Sequence, residues 1–141
     1  MEVNWSDCVP LLLAVFLGGV IGLERQVHEK PAGLRTNILI CLGSCVFTMI
    51  STTLAGSDPG RIAAQIVTGI GFLGAGAIMQ SGASIHGLTT AAGIWIVASI
   101  GMACGTRRYF LAIVVTLLAV FALMLLSPVD KKLTKAQRNL E

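Results

Sequence analysis

Ten polar residues carry most of the chemistry this chain could do, and they fall in two groups. Glu24, Arg25, Arg35, Thr36, Asn37, Thr89 and Thr90 stand at one set of apolar-run ends, while Arg61 and Gln65 open another run, with Asp58 three residues before Arg61. A carboxylate beside guanidinium, amide and hydroxyl groups can bind an ion or a charged partner group, and charges that face a bundle interior mark sites more often than chance. The plainer reading is that the arginines snorkel and the threonines bond their own helix. Glu24 and His28 are four residues apart, as are Arg25 and Glu29, which predicts paired charges on one helix face. There is no Ser/His/Asp set and no carboxylate pair, and both histidines, His28 and His86, fall between runs, so an enzyme is not expected.

The stretch 69-GIGFLGAG-76 opens with Gly69, Gly71 and Gly74 in the G-x-G-x-x-G pattern. A dinucleotide loop needs a preceding strand and an acidic residue roughly 20 positions on. Thr89 stands there, and no acid occurs between Asp58 and Asp130. The glycines therefore read as packing residues. Ala64, Thr68, Gly71 and Ala75 form one small stripe on a helix, and Gln65, Gly69, Phe72 and Gly76 an adjacent one. Gly18 and Gly22 make a true G-x-x-x-G. Small residues let helix backbones approach closely in lipid. The run holding Thr68, Gly69, Gly71, Gly74 and Gly76 is expected at the centre of a tight bundle, able to bend at its glycines. Cys41 and Cys45 share a helical face, but Cys8, Cys41, Cys45 and Cys104 lack zinc-ligand spacing and read as small apolar packing residues.

Hydrophobic residues make up 55% of the 141 residues and charged ones 12%, with mean hydropathy +0.82. So short a chain cannot hide that much apolar surface from water. Ile62 to Thr106 contains no charged residue, enough for two spans and a turn. The fold expected is an all-α, polytopic membrane helix bundle with about five transmembrane helices, at 5–25, 34–55, 62–80, 88–105 and 109–127. A cleaved signal peptide does not fit the first run, which lacks a basic start and meets Glu24-Arg25 where small residues should lie. Asp58-Pro59-Gly60 is expected as a tight turn. Seven Lys and Arg residues fall on the side of the first and third loops and the tail, and three on the other, which predicts the N-terminus outside and the C-terminus cytoplasmic. Arg61 and Gln65 then lie on the outer side, where Asp58 is the available partner for Arg61. Residues 1–127 read as the transmembrane domain and 128–141 as a short basic tail suited to anionic headgroups. The net charge of +3 follows from this topology, and nothing suggests nucleic-acid binding.

The segments 17-LGGVIGLERQ-26, 32-AGLRTNILICLG-43, 61-RIAAQIVTGIGFLGAGAIM-79 and 86-HGLTTAAGIW-95 closely resemble the membrane domain of the MgtC/SapB family, in order and spacing. The resemblance implies a multi-pass protein of the bacterial inner (plasma) membrane, linked to growth at low magnesium and, in its best-studied type, to virulence. That type implies a regulator of membrane complexes such as the F-type ATP synthase, which it restrains, rather than a magnesium carrier. Two departures stand out. The virulence type has a further cytoplasmic domain resembling an ACT fold, whereas this sequence stops at Glu141 after its basic tail and looks more like the short SapB-type members or a truncated piece. Thr89 stands where that type has Asn, so a hydroxyl replaces an amide's paired donor and acceptor.

Two functions compete. One is a membrane regulator that binds partner helices and itself as a homo-oligomer. The other is an oligomeric channel or transporter for magnesium or another ion. Magnesium wants oxygen ligands, usually carboxylates, and Glu24 is the one carboxylate expected near the membrane on the cytoplasmic side. No cofactor is expected.

Overall fold

Backbone carbonyls without water must bond within their own segment, so a chain this apolar folds as helices. The computed structural model describes residues 5–54, 58–81 and 84–125. A short 3₁₀ turn, Trp5–Asp7, leads into α1 (Cys8–Val27), followed by α2 (Leu34–Thr53), α3 (Pro59–Gly76), α4 (Leu88–Gly105) and α5 (Tyr109–Leu125). Three stretches are long and apolar enough to cross a membrane, Trp5–Val27, Leu34–Thr53 and Leu88–Gly105, and α5 is a shorter apolar helix. The basic tail expected at 128–141 lies outside the described residues.

The surface is oily, and small polar side chains are buried among the apolar residues of the interior. Phe72 and Phe110 are 82% and 83% exposed, and Leu12, Phe16, Leu39, Leu117 and Leu118 also point outward. Asn37, Ser44, Thr48, Thr90 and Thr116 are buried. Thr48 Oγ donates to the Ser44 carbonyl at 2.7 Å and Thr116 Oγ to the Ala112 carbonyl at 2.8 Å, so these hydroxyls are satisfied inside their own helices. Such an arrangement suits a lipid solvent and marks a membrane protein.

Glycine pairs fix which helices meet. A Cβ on Gly18 would stand 2.8 Å from the Cys41 Cβ and 2.9 Å from the Asn37 carbonyl, and one on Gly22 would stand 2.8 Å from the Leu34 Cα. On the other flank of α2, a Cβ on Gly101 would collide with the Cys41 carbonyl, and one on Gly105 would lie 2.6 Å from the Cys45 carbonyl. Helix α2 is thus clamped between two G-x-x-x-G faces, 18-GGVIG-22 of α1 and 101-GMACG-105 of α4. Its own contacting residues are small enough to match: Cys41, Ser44, Cys45 and Thr48. Gly101 meets residues 41 and 44, and Gly105 meets 45 and 48, so α4 runs parallel to α2.

The expectation that the third run is the bundle centre is overturned. Among its residues only Ile70 and Gly74 are buried, and a Cβ at Gly69, Gly71 or Gly76 would meet nothing within 4 Å. Thr68 is exposed and bonds its own helix, its Oγ donating to the Ala64 carbonyl at 3.0 Å. Helix α3 meets α4 at Gly74, where an added Cβ would stand 3.7 Å from the Ala91 Cβ, in ordinary contact. Small residues permit close approach without dictating which neighbour approaches, and here α4 supplied the better-matched face for α2.

The third run also differs at both ends. Helix α3 starts at Pro59 rather than 62, because Asp58 caps it: Asp58 Oδ1 accepts the Gly60 N–H at 2.8 Å, and Pro59 takes the first helical position. The expected free-standing turn at Asp58-Pro59-Gly60 is that cap. At the other end α3 stops at Gly76 instead of reaching 80, and Met79–Ser81 (β1) pairs antiparallel with Ser84–His86 (β2) in the register Met79↔His86, Gln80↔Ile85. Gly87 closes the hairpin onto α4 with φ +91°, and a Cβ there would collide with the Ala77 carbonyl, so both its backbone and its lack of a side chain are used.

Candidate functional site

The cytoplasmic-side cluster expected from the sequence resolves into a buried core and an exposed fringe. Helix α1 ends where Pro31 and Gly33 break the pattern, with Glu29 at φ 53° and the Lys30 N–H bonded back to the Arg25 carbonyl at 3.0 Å. The last turn carries Glu24 and Arg25, whose side chains are only 7% and 6% exposed. Arg25 Nη1 lies 3.7 Å from Glu24 Oε2, an ion pair too long for a hydrogen bond. Glu24 Oε1 lies 3.1 Å from His28 Nδ1, which is also 2.8 Å from the Glu24 backbone carbonyl. Glu24 Oε2 and Arg25 Nε are buried without a hydrogen-bond partner among the described residues, a complementary acceptor and donor in adjacent residues.

Asn37 is 1% exposed and both N–H groups of its amide are used. Nδ2 donates to the Ala32 carbonyl at 2.7 Å and to the Gly33 carbonyl at 2.8 Å. It stitches the α1–α2 connection to the first turn of α2, directly beside Gly22, whose absent Cβ would lie 3.1 Å from the Asn37 Cβ. Gln26, in the last turn of α1, accepts the Leu34 N–H through its Oε1 at 3.4 Å.

Thr90 is buried in the first turn of α4. Because α4 parallels α2, that turn lies at the same end of the bundle as Glu24, Arg25 and Asn37. Arg35, Thr36 and Thr89 are exposed at that end. Helical geometry separates them from their neighbours: one residue is about 100° around the helix, so Asn37 faces in while Arg35 and Thr36 face out. The expected Arg25–Glu29 pair does not form. Arg25 points into the bundle toward Glu24, and Glu29 lies beyond the helix end and is exposed.

Arg61 and Gln65 lie at the opposite end, on α3, and are exposed. Arg61 does not pair with Asp58, whose carboxylate serves the helix cap. The ion pair at that end is one the sequence reading missed: Arg107 Nη2 meets Asp7 Oδ1 at 2.8 Å, joining the start of α1 to the α4–α5 connection. No spacing rule links residues 100 apart. The second missed feature, the packing pair Gly101 and Gly105, did carry a signal, since it repeats the G-x-x-x-G spacing of Gly18 and Gly22.

The arrangement has clear chemical limits. Among the described residues no three His, Cys, Asp or Glu side chains converge to hold a metal ion. Glu24 already faces one guanidinium and one imidazole, so a divalent cation would have to compete with Arg25 for it. Cys41, Cys45 and Cys104 are free and buried, with Cys45 Sγ 3.6 Å from the Pro10 carbonyl, as packing residues would be.

The sequence model of the MgtC family matches residues 11–132. The chain is 46% identical over 125 residues to Protein MgtC of Salmonella typhimurium strain LT2, covering 89% of this chain and 54% of that protein. It is 47% identical over 116 residues to Protein MgtC of Brucella abortus strain 2308, covering 82% and 49%. It is 48% identical over 114 residues to the Escherichia coli K12 protein named "Putative magnesium transporter YhiD", covering 74% and 53%. The chain spans about half the length of these relatives. No solved structure matches it.

Proposed function

The chain belongs to the MgtC family, and from that premise we propose that it is a multi-pass protein of the bacterial inner membrane that adapts the cell to low magnesium and to a host by binding other membrane proteins. It crosses the bilayer five times, with its N-terminus outside and its basic tail in the cytoplasm, and it is not an enzyme. The F-type ATP synthase is the complex that the family resemblance implies as partner, and a second copy of the chain is the other.

The observation that carries this reading is the unused face of α3. Ala64, Thr68, Gly71 and Ala75 form a small-residue stripe that its own bundle leaves exposed. The same residue types, where they are used in α1 and α4, bring backbones into direct contact with α2. In lipid, such a stripe is a surface for another helix. Gly71→Leu is expected to leave the fold intact, because a Cβ at Gly71 meets nothing within 4 Å. It should nevertheless abolish co-purification of a membrane complex, or of a second tagged copy, from native membranes in mild detergent. Wild-type protein that brings down neither would refute the reading.

A second reading, transport of magnesium by an oligomer, has two points in its favour: the name of one relative and a Glu24 Oε2 without a hydrogen bond. Against it stands the Arg25 guanidinium 3.7 Å from that oxygen, which supplies the positive charge a metal ion would bring.

A further inference from the structure

A cleft of about 550 Å³ runs between α2 and α3 and belongs to neither the Glu24 cluster nor the outer face of α3. Leu39, Ile40 and Phe47 of α2 wall one side and Ile62, Ile66 and Leu73 of α3 the other. Gly43 and Gly69 also line it, and a Cβ at either would meet nothing within 4 Å, so the cleft is wide because two side chains are missing. Gln65 is its polar lining residue on α3, near the Phe47–Ile62 end. Arg61 stands four residues earlier, hence on the same face as Gln65 and one turn nearer the helix end. It is exposed and makes no ion pair among the described residues, since Asp58 is committed to the Gly60 N–H and Asp7 to Arg107.

We infer that this cleft is a binding site for one anionic phospholipid, with an acyl chain between α2 and α3 and the headgroup phosphate on Arg61. Length, polarity and charge all fit. Ile62 to Leu73 is twelve residues, with eleven rises that come to about 16 Å, close to one leaflet of a hydrocarbon core roughly 30 Å thick. The lining is mostly apolar over that length, as an acyl chain requires; its polar residues are Ser44 of α2, which is buried, and Gln65 of α3, which lies one turn below Arg61 and can donate to a glycerol ester carbonyl. A guanidinium is suited to phosphate by its paired donors. A helix from another protein fits less well, because Phe47 and Leu73 stand at the two ends of the cleft and a helix is about 10 Å across. The lining of the cleft does not overlap the proposed partner stripe of α3, which turns away from it, while Arg61, three residues before Ala64, stands between the two faces.

The test is photolabelling of the full chain in phosphatidylglycerol-containing bilayer discs, with a phosphatidylglycerol carrying a diazirine on one acyl chain. Labelled peptides are then mapped. Labelling is expected to concentrate on α2 and α3 around Gly43 and Gly69, well above the outward face of α5 at Leu117 and Leu118, which samples bulk lipid. Arg61→Ala should lower it about fivefold, the effect of one interfacial basic group on an anionic lipid. Gly69→Leu, or Gly43→Leu if the first variant is not monodisperse, should remove it. Labelling spread evenly around the bundle would overturn the proposal, as would cleft labelling unchanged by Arg61→Ala. So would a Gly69→Cys variant that cross-links to its own copy across the cleft and excludes the probe, which would assign the cleft to a second chain.

Discussion

Gly101→Val is expected to cost the bundle about 3 kcal/mol or more, the upper range for forcing extra carbon into a close-packed interior. The new Cβ would fall on the Cys41 carbonyl, and the Ser44 Cβ lies only 2.9 Å away. Neither neighbour can yield, because the first is helix backbone and the second is attached directly to it. Separating α2 from α4 would in turn open the contact at Gly105, where a Cβ would lie 2.6 Å from the Cys45 carbonyl. The comparison that makes this specific is Gly71→Ala. Both are mid-helix glycines in apolar runs, yet the second change should lie within about 0.5 kcal/mol of wild type, since it fills open space and favours helix. Thermal unfolding in detergent, followed by the monodisperse fraction, reads both. Equal losses would show that α2 and α4 do not meet as described.

Arg25→Met is expected to destabilise by about 3–5 kcal/mol, the range for removing one partner of a buried ion pair. The loss comes from what remains: a Glu24 carboxylate 93% shielded, with His28 as its other neighbour. Adding Glu24→Gln to the same chain should recover most of that loss, because a neutral amide no longer needs a counter-charge. A double variant as unstable as Arg25→Met alone would mean that Arg25 matters for its packing and not for Glu24. If both variants fold, their ability to bind a membrane partner separates a structural role for the pair from a direct one.

The helices were legible because their cause is local. Charge-free runs of membrane length and the Pro31–Gly33 break set α1, α2 and α4 within a few residues of where they lie. The close approach of Gly18 and Gly22 was also written in their spacing. What the residues could not convey was choice among equals. The stretch 69-GIGFLGAG-76 and the stretch 101-GMACG-105 offer similar small faces, and only the three-dimensional competition for α2 decides that the second is used. The hairpin was hidden because its strands, Met79–Ser81 and Ser84–His86, are three residues each, too short to show a strand alternation, and their polar residues read as a loop. Within the site, Glu24, Arg25 and Asn37 were found by type and position. Their burial, and the outward turn of Arg35, Thr36 and Thr89, depend on helix phase, which a run of polar residues at a helix start does not specify.

The most direct test of the account is magnesium uptake by sealed proteoliposomes containing the folded, inserted chain, with Glu24→Gln measured beside it. A protein that works by binding partners, with the buried Glu24 carboxylate paired to Arg25, predicts uptake no greater than in protein-free liposomes for both. Saturable uptake by the wild type that disappears in Glu24→Gln would contradict the account and make the Glu24 cluster the mouth of a magnesium path.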